Sequence, residues 1–335
     1  MMTKTDIGIF SEIGVICIAK KQRRLSVTQQ IMLEVKASLS RYQHNLTRKQ
    51  YILNTKYFIK YCRDQHDCRT FEECQQYIEE YINFLIDKGL SASTIHTYAA
   101  AIAATYQISL QSIKKPLRII AEFTRGRKEI QYPHSSQDLE NPAYRRLIEF
   151  ASKCGIRREE YAKLKKSSWV IDPSTGKHAI FVARGKHGKE QYQLVRDEDV
   201  PWFEKFFAEV PDDRYIFSKA EMNNHLNLHR FRADNAKRWY AELEQKLKDD
   251  PSYADIMIEQ IKARYVHSRD PRTGKPKHFD PKSVEGFYFL RKSLRQKQIS
   301  ENKPIKFNRL IVKYVSIFCL SHYRESVCIQ NYLLA

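Results

Sequence analysis

LSHYRESVCIQNYLLA, residues 320–335, places a histidine, an arginine and two tyrosines in a moderately apolar segment. Segments at chain ends are more often polar and frayed than built in this way. Val327, Cys328, Ile329 and Leu333 would seat a short helix against a core. The stretch therefore predicts either a helix that fills a core or a tyrosine that performs chemistry.

The chain as a whole is strongly basic. Its 335 residues include 58 Lys and Arg against 39 Asp and Glu, which gives a formal net charge of +19. A field of this sign attracts polyanions, and nucleic acid is the favoured partner. An anionic membrane surface is less favoured because the charges are spread over the whole chain rather than along one amphipathic helix. We expect no membrane span, since no run of about 18 apolar residues occurs.

The cysteines indicate a reducing compartment, and we expect a cytoplasmic protein. They are seven in number and form no CxxC pair. Cys62, His66, Cys68 and Cys74 cluster, so a zinc site has to be weighed. Buried structural thiols are the favoured interpretation, because Cys74 falls on the apolar stripe of a helix. We expect no bound metal.

The first third of the chain predicts a bundle of helices. A helix is expected over residues 27–40, and Thr47 with Gln50 resembles a capping box for a second one. The residues from Cys74 to Leu85 recur at helical spacing until Gly89, and Ser91 with Thr94 opens another helix. A short helix around Leu110 would close the bundle. The apolar stretch IGIFSEIGVICIA, residues 7–19, is expected to be a β-rich or buried segment, or a docking arm.

A basic linker follows the bundle. Residues 114–144 combine several prolines with Arg125, Arg127 and Lys128. Such a segment either lies along a phosphate backbone or is a solvated connector.

The second half predicts helices around a small antiparallel sheet. HAIFVAR and EQYQLVR, separated by GKHGK at residues 185–189, form a β-hairpin pattern with Lys186 at its tip. RYIFS, residues 214–218, reads as a short strand. Helices are expected at residues 144–153 and 158–165, across HRFRADNAKRWYAELEQKL (229–247), and again near residue 335.

Two short motifs carry charged groups suited to a phosphate. In CGIRREE, Arg157 opens a helix with Glu160 one turn later, which suits forked phosphate binding but also fits an ordinary surface helix. In HRFR, His229 and Arg232 share one face of a helix start. The two side chains would hold two phosphate oxygens, or the histidine would exchange a proton while the arginine neutralises charge. Alternatively, this is simply a basic helix that faces DNA.

The order of these motifs resembles that of the tyrosine recombinase family, the phage integrases. The matching residues are Arg157, Lys186, His229, Arg232, His322 and Tyr332. The resemblance also covers the helical bundle, which is similar to the family's core-binding domain. Two motifs differ from the family's usual residues. The usual Leu-Gly-His is Leu320-Ser321-His322 here, where we expect a helix start, and in HRFR Phe231 replaces the usual leucine.

The resemblance implies a reaction and a role for each residue. Tyr332 would attack a DNA phosphodiester to form a 3′-phosphotyrosyl link, with no cofactor and no metal. Arg157, Arg232 and His322 would stabilise the transition state, Lys186 would protonate the leaving 5′-oxygen, and His229 would assist proton transfer. Tyr323 is the weaker candidate nucleophile because it directly follows His322.

The family also implies an architecture and partners. We expect a mainly α fold with a small antiparallel sheet, divided into an arm (1–25), a helical core-binding domain (26–123), a basic linker (124–140) and a catalytic domain (141–335). An insertion at about 246–300 would be an extra DNA contact, a hairpin or a surface elaboration. The partners would be double-stranded DNA, contacted by Lys49, Lys56, Arg125, Arg127 and Lys128, and further copies of the chain in a DNA-dependent tetramer. A prokaryotic, nucleoid-associated integrase or recombinase of a mobile element is favoured over a catalytically silent DNA-binding relative.

Overall fold

A computed structural model describes residues 25–42, 45–119, 138–183, 185, 190–212, 214–266, 274–275 and 277–334. The chain divides into two compact units, Met1–Ile119 and Ile120–Ala335. The expectations for residues 7–19 and for the basic run at Arg125, Arg127 and Lys128 lie outside the described residues.

The described part of the first unit is built from helices alone. They are α1 (Val27–Ser38), α2 (Asn45–His66), α3 (Phe71–Gln75), α4 (Ile78–Asp87) and α5 (Ala92–Tyr106). Ser91 caps α5 by accepting a hydrogen bond from the backbone of Thr94, and Gly89 follows α4 with φ +72°. Both boundaries follow the sequence signals, because a serine satisfies free N–H groups and glycine tolerates the left-handed region.

Three details of this unit differ from the sequence expectations. Helix α2 begins at Asn45, so Thr47 lies inside it and forms no capping box. The single helix expected from Cys74 to Leu85 is two helices, because the chain turns between Gln75 and Ile78. The residues around Leu110 form turns rather than a helix.

The clustered cysteines are structural. Cys62, Cys68 and Cys74 are all buried in the core of the helical unit, and the Cys62 thiol donates to the Cys74 carbonyl at 3.8 Å. Burial and the neighbouring Cys74 thiol raise the pKa of Cys68 to about 11, which keeps that sulfur protonated. Among the residues with described positions, no group of three or more His, Cys, Asp and Glu side chains is arranged to hold a metal ion.

The second unit mixes helices with two small antiparallel sheets. Its helices are α6 (Arg145–Lys153), α7 (Arg158–Tyr161), α8 (Val200–Ala208), α9 (Lys219–Met222), α10 (Leu228–Asp249), α11 (Tyr253–Val266), α12 (Lys292–Ser300), α13 (Arg309–Tyr314) and α14 (Glu325–Cys328). Its strands are β1 (Trp169–Ile171), β2 (His178–Val182), β3 (Gln191–Leu194), β4 (Phe287–Phe289) and β5 (Lys306–Asn308). The fold class expected from the sequence, mainly α with a small antiparallel sheet, is confirmed.

The two strands of the expected hairpin pair antiparallel, as predicted, while one expected strand and one expected helix differ from the prediction. The order is β1-β2-β3, with Val182 opposite Gln191 where the expected hairpin turns, and β4 pairs with β5. Residues 214–218 form no strand, because only the isolated bridge between Lys165 and Tyr215 is present. The helix expected over 158–165 ends at Tyr161. No helix in the described part of the chain has the length and apolar content to cross a membrane.

Parts of the segment expected to be an insertion belong to the core. Met257 and Ile261 of α11 are fully buried, and Leu290 after β4 is 3% exposed, all in the cluster that also contains Tyr332. Arg264 of α11 forms a 2.6 Å ion pair with the buried Asp172 of the β1–β2 turn. The interpretation of residues 246–300 as a plain surface elaboration is therefore wrong for these elements.

Candidate active site

Tyr332 lies inside the second unit and not on its surface. It follows α14 in a π-helical turn, Ile329–Leu333, and is 5% exposed. The fully buried Cys328 and Ile329 anchor this turn. The Tyr332 ring centroid lies 5.0 Å from that of His229 and 5.7 Å from that of His322. Single π-helical turns are frequent at functional sites, where they reposition one side chain.

Arg232 holds the hydroxyl of this tyrosine. Its Nε donates to Tyr332 Oη at 3.4 Å, and the guanidinium lies 5.5 Å from the Tyr332 ring centroid. The two remaining nitrogens donate to the Gly155 carbonyl at 2.5 Å and to the Leu320 carbonyl. Three fixed acceptors thus set the position of the guanidinium against the phenol.

The charge of Arg232 is buried among neutral acceptors. The side chain is fully buried, and among the described residues its guanidinium donates to the Tyr332 hydroxyl and to the carbonyls of Gly155 and Leu320. Neutral acceptors compensate a buried cation only in part, because removing an ion from water carries a large desolvation penalty. The site is therefore suited to an anionic ligand.

Gly155 allows this close approach. A Cβ added to Gly155 would lie 2.8 Å from the Cα of Arg232, closer than real side chains come to backbone. The backbone of residue 155 and α10 are therefore in direct contact. The sequence CGIRREE marked a turn here but gave no sign of this contact.

Arg157 enters the same site from the start of α7. It donates to Glu160 Oε1 at 2.6 Å, while its backbone N–H donates to Glu160 Oε2 at 2.8 Å. It also donates to Leu320 O at 3.5 Å, the carbonyl that Arg232 contacts. The side chain is 20% exposed, so this guanidinium can reach a ligand in solvent.

Two glutamines of β3 support the site, and sequence reasoning missed both. Gln191 accepts from Arg157 at 3.2 Å and donates to Glu160 at 3.2 Å. With its amide nitrogen turned toward the carbonyls, Gln193 donates to Gly155 at 3.2 Å and to Cys319 at 2.6 Å. The signal in the sequence was their spacing, since residues two apart on a strand share a face and these two polar residues face the core.

His322 is held as a neutral donor. Its Nδ1 accepts from the backbone N–H of Arg324 at 3.3 Å, so in the neutral ring the proton sits on Nε2. Burial, with the charges of Arg232 and Arg157, lowers the pKa of His322 to about 3. The Nε2 atom is buried, and it has no hydrogen-bond partner among the described residues. A buried, unused N–H in a positive field is suited to an oxyanion.

The backbone around His322 is strained. Ser321 and Tyr323 have φ of +48° and +55°, in the left-handed region that disfavours side chains with a Cβ. The helix start expected at Leu320–His322 is wrong: Leu320 ends a π-helical turn, Val315–Cys319, and His322 sits in the bend before α14. Strain of this kind persists where the surroundings fix it, often at functional sites.

His229 connects the site to an open cleft. It is exposed at the start of α10 and, with Arg157, lines a cleft of about 600 Å³. Arg158 closes one wall by donating to the carbonyl of Asn224 at 3.1 Å and to that of Leu226. Solvent therefore reaches the site from the His229 and Arg157 side.

The structure brings five of the six expected catalytic residues together. They are Arg157, His229, Arg232, His322 and Tyr332. Lys186 lies outside the described residues, although β2 and β3 on either side of it are described and Gln191 of β3 contacts Arg157. Lys49 and Lys56 are exposed on α2 of the first unit.

Comparisons with known proteins complete the description. Neither a family model nor a curated protein matches the chain. Among solved structures, XerA recombinase is 13% identical, with 91% of this chain and 94% of that chain covered and a TM-score of 0.24. The Tn1549 transposon integrase in complex with circular intermediate DNA is 12% identical, with 92% and 95% covered and a TM-score of 0.38. Because these identities and TM-scores are low, the activity of this chain is inferred from its own site.

Proposed function

We propose that this protein is a site-specific recombinase that cuts and rejoins double-stranded DNA through a 3′-phosphotyrosyl intermediate. The observation that carries the proposal is the contact of Arg232 with the Tyr332 hydroxyl inside a buried positive site. A nucleophile held beside a buried guanidinium whose acceptors are neutral is suited to attack on a phosphodiester. Integration or excision of a mobile element is the role that fits this chemistry best.

The chemistry balances without a cofactor. Tyr332 Oη attacks phosphorus, the bond from phosphorus to the 5′-oxygen breaks, and a phosphotyrosyl ester replaces the diester. His229, next to the Tyr332 ring, accepts the phenol proton, and Lys186 gives a proton to the 5′-oxygen. Because one phosphate ester replaces another, attack by a 5′-hydroxyl reverses the step and rejoins the strand.

The transition state would be stabilised by three groups already in place. The pentacoordinate phosphorus gathers negative charge on its non-bridging oxygens. Arg157 and Arg232 offer guanidinium N–H groups, and His322 offers Nε2–H. Each preorganised donor of this kind contributes about 10²- to 10³-fold in rate. The neutral His322 donates a hydrogen bond without needing to be charged.

The proposal extends to DNA binding and assembly. Residues 26–123 would act as a core-binding domain, with the exposed Lys49 and Lys56 contacting phosphates, and residues 141–335 as the catalytic domain. Arg125, Arg127 and Lys128 of the linker would neutralise further phosphates. Exchange between two DNA sites would use a tetramer assembled on DNA. The free, buried thiols of the described residues fit a cytoplasmic location.

A catalytically silent DNA-binding protein is the second candidate. The observation that favours it is the closed state of the site, in which Tyr332 is 5% exposed and Arg232 already has three acceptors. A phosphate reaches the tyrosine only if the terminal segment shifts. A silent relative would keep the basic surface and bind DNA without ever making that shift.

Covalent trapping distinguishes the two candidates. The protein is incubated with fragments that cover the DNA molecule encoding it, and adducts that survive detergent but not protease are mapped. The mapped site is then rebuilt as a nicked duplex from which the cleaved end is lost. We expect an adduct with the wild-type protein and with the matched control Tyr323→Phe, and none with Tyr332→Phe. Duplex binding without any adduct would show a silent DNA-binding protein.

A further inference from the structure

Residues 286–309 form a strongly basic surface that no step of the proposed reaction uses. This segment, the basic ribbon, contains β4, α12 and β5. Among its 24 residues, Glu301 is the only acidic one. Its seven cationic residues are Arg291, Lys292, Arg295, Lys297, Lys303, Lys306 and Arg309. The ribbon thus holds a net charge of +6, close to a third of the chain's +19.

The outer face of the ribbon combines aromatic rings with a cation. Successive strand residues point to opposite faces. Phe287 and Phe289 are therefore on one face, 45% and 55% exposed, while Phe307 is buried on the other at 6%. Lys306 pairs with Phe289 in register, and its Nζ lies 5.0 Å from the Phe287 ring centroid. Exposed phenylalanines grouped with lysine are more typical of a contact surface than of a solvated face.

The ribbon is attached firmly to the elements that carry the site. The backbone N–H of Asn308 donates to Tyr240 Oη of α10 at 2.8 Å. Tyr240 is eight residues beyond Arg232 on the same helix, which places it about 12 Å further along the helix axis. From Arg309, α13 leads through the π-helical turn Val315–Cys319 to His322. Over about 12 Å of its axis a B-DNA duplex carries about seven charges, so a duplex that extends this far from the site would offer phosphates to the ribbon.

We propose that the basic ribbon is a second contact surface for double-stranded DNA, outside the point of strand cleavage; this rests on the proposed function. A two-stranded ribbon fits the major groove, which is about 12 Å wide. The flanking cations would neutralise phosphates, and Phe287 and Phe289 would contact sugars or thymine methyl groups. An acidic protein surface would also match the charge, but duplex DNA is the polyanion on which the adjoining site would act.

Salt dependence of binding tests the ribbon. The affinity of the full chain for a random-sequence duplex is measured by fluorescence anisotropy over a salt series. The ribbon variant is Lys292→Gln with Arg295→Gln and Lys306→Gln. The matched control makes the same charge change at exposed lysines elsewhere in the unit, Lys205→Gln with Lys219→Gln and Lys248→Gln. Each lost phosphate contact lowers the slope of log K against log salt by about 0.9, so three lost contacts lower it by about 2.7.

We expect the ribbon variant to show that fall in slope, while the control keeps a slope near that of the wild type. The pair Phe287→Ser with Phe289→Ser should weaken binding with an unchanged slope, because an apolar contact releases no counterions. Equal slopes for the ribbon variant and the control would overturn the ribbon proposal. So would a ribbon variant that keeps the wild-type slope but assembles into smaller complexes on DNA, which would indicate a protein contact instead.

The two experiments distinguish a wrong assignment of the basic ribbon from a wrong proposed function. If the wild-type protein forms the Tyr332 adduct but the ribbon variant binds like the control, only the ribbon assignment is wrong. If the wild-type protein forms no adduct and its slope still depends on the ribbon, the protein is a silent DNA-binding protein that uses this surface. If the wild-type protein does not bind duplex DNA at all, both proposals are wrong.

Discussion

At the level of single residues, the site depends on how closely two backbone segments approach. Arg232 reaches both the Gly155 and Leu320 carbonyls while holding the Tyr332 hydroxyl. Leu320 O also accepts from Arg157, so one carbonyl aligns both arginines. Small changes in backbone position at residues 155 and 320–323 should therefore change catalysis more than changes in exposed charge nearby.

Gly155→Ala tests this close approach. Its Cβ would lie 2.8 Å from the Cα of Arg232, so α10 or the turn has to shift. We expect a loss of about 1–3 kcal/mol in the free energy of unfolding, as for other overpacked sites. Because the shift moves the guanidinium away from Tyr332, the cleavage rate on a nicked duplex should fall at least about 100-fold.

Gly176→Ala is the control for that substitution. Gly176 has φ +68° and nothing within 4 Å of an added Cβ. Its alanine variant should lose about 1–2 kcal/mol from backbone strain alone. Cleavage should stay at the wild-type rate. If both variants cleave equally fast, the contact between Gly155 and Arg232 does not position the arginine.

Ser321→Gly should stabilise the protein. Ser321 has φ +48°, and its buried Oγ has no hydrogen-bond partner among the residues that the structure describes. Glycine removes both penalties and should add about 1 kcal/mol to the free energy of unfolding in urea. The same substitution at Ser326, which is exposed within α14, should instead remove about 0.5–1 kcal/mol. A Ser321→Gly variant that loses stability would contradict the strained geometry next to His322.

His322 should make stability fall in mild acid. Burial and the two arginines lower its pKa to about 3 in the folded protein, whereas the unfolded chain has the ordinary value of about 6.5. Between these pH values the unfolded state binds more protons, so stability is lost as the pH falls from 6.5 toward 3. His322→Asn should remove this component. The melting temperatures of wild type and variant should differ by a constant amount above pH 7.5. Below pH 6.5 the melting temperature of the wild type should fall relative to that of the variant. Parallel curves over the whole range would contradict the buried, neutral histidine.

At the level of helices and strands, the sequence predicted an element correctly where the residues that begin or end it are neighbours in the chain. Ser91 and Gly89 act through their own backbone neighbours, and the boundaries of α4 and α5 followed from them. Residues 214–218 had the composition of a strand but pair through a single bridge, which depends on Lys165 some 50 residues earlier. Gln191 supports Arg157 across 34 residues of sequence, a contact that no local pattern reports. The order of the motifs predicted that Arg157, His229, Arg232, His322 and Tyr332 share a site, and the structure places them together; no local pattern predicted the glutamines that support them.

Helix α11 is another element that no local sequence pattern predicted. Its buried Met257 and Ile261 are one turn apart, yet basic, proline-containing sequence follows them and masks the signal. Arg264 packs its guanidinium 4.6 Å from the Phe318 ring centroid, close to the segment that carries His322. Helix α11, which lies in the expected insertion, therefore packs against the segment that leads to His322.

Arg264→Met tests that support. Asp172, its ion-pair partner, is fully buried, and a buried carboxylate left without its cation typically costs about 3–5 kcal/mol. We expect a loss of that size in urea unfolding. Lys262→Met, on the same helix and in an exposed ion pair with Glu259, should change stability by less than about 1 kcal/mol. Equal effects of the two substitutions would mean that α11 is not part of the cooperative core.

At the level of the whole molecule, charge and chemistry point to the same partner. The chain has a formal net charge of +19, the guanidinium groups of Arg157 and Arg232 converge on the Leu320 carbonyl in the second unit, and the basic ribbon adds a surface of the same sign. Lys49 and Lys56 place exposed cations on the first unit as well. A polyanion that extends over many charges, as duplex DNA does, matches so large a net charge, whereas a small phosphate ester would engage only the site.

The identity of the nucleophile is the central claim, and peptide mapping of the covalent adduct tests it most directly. Trypsin cuts after Lys313 and Arg324, so Tyr323 falls in YVSIFCLSHYR and Tyr332 in ESVCIQNYLLA. After nuclease digestion, mass spectrometry should find a 3′-linked nucleotide on Tyr332 of ESVCIQNYLLA, with a free 5′-hydroxyl on the released strand. A nucleotide on Tyr323, or on any residue outside residues 325–335, would contradict the account.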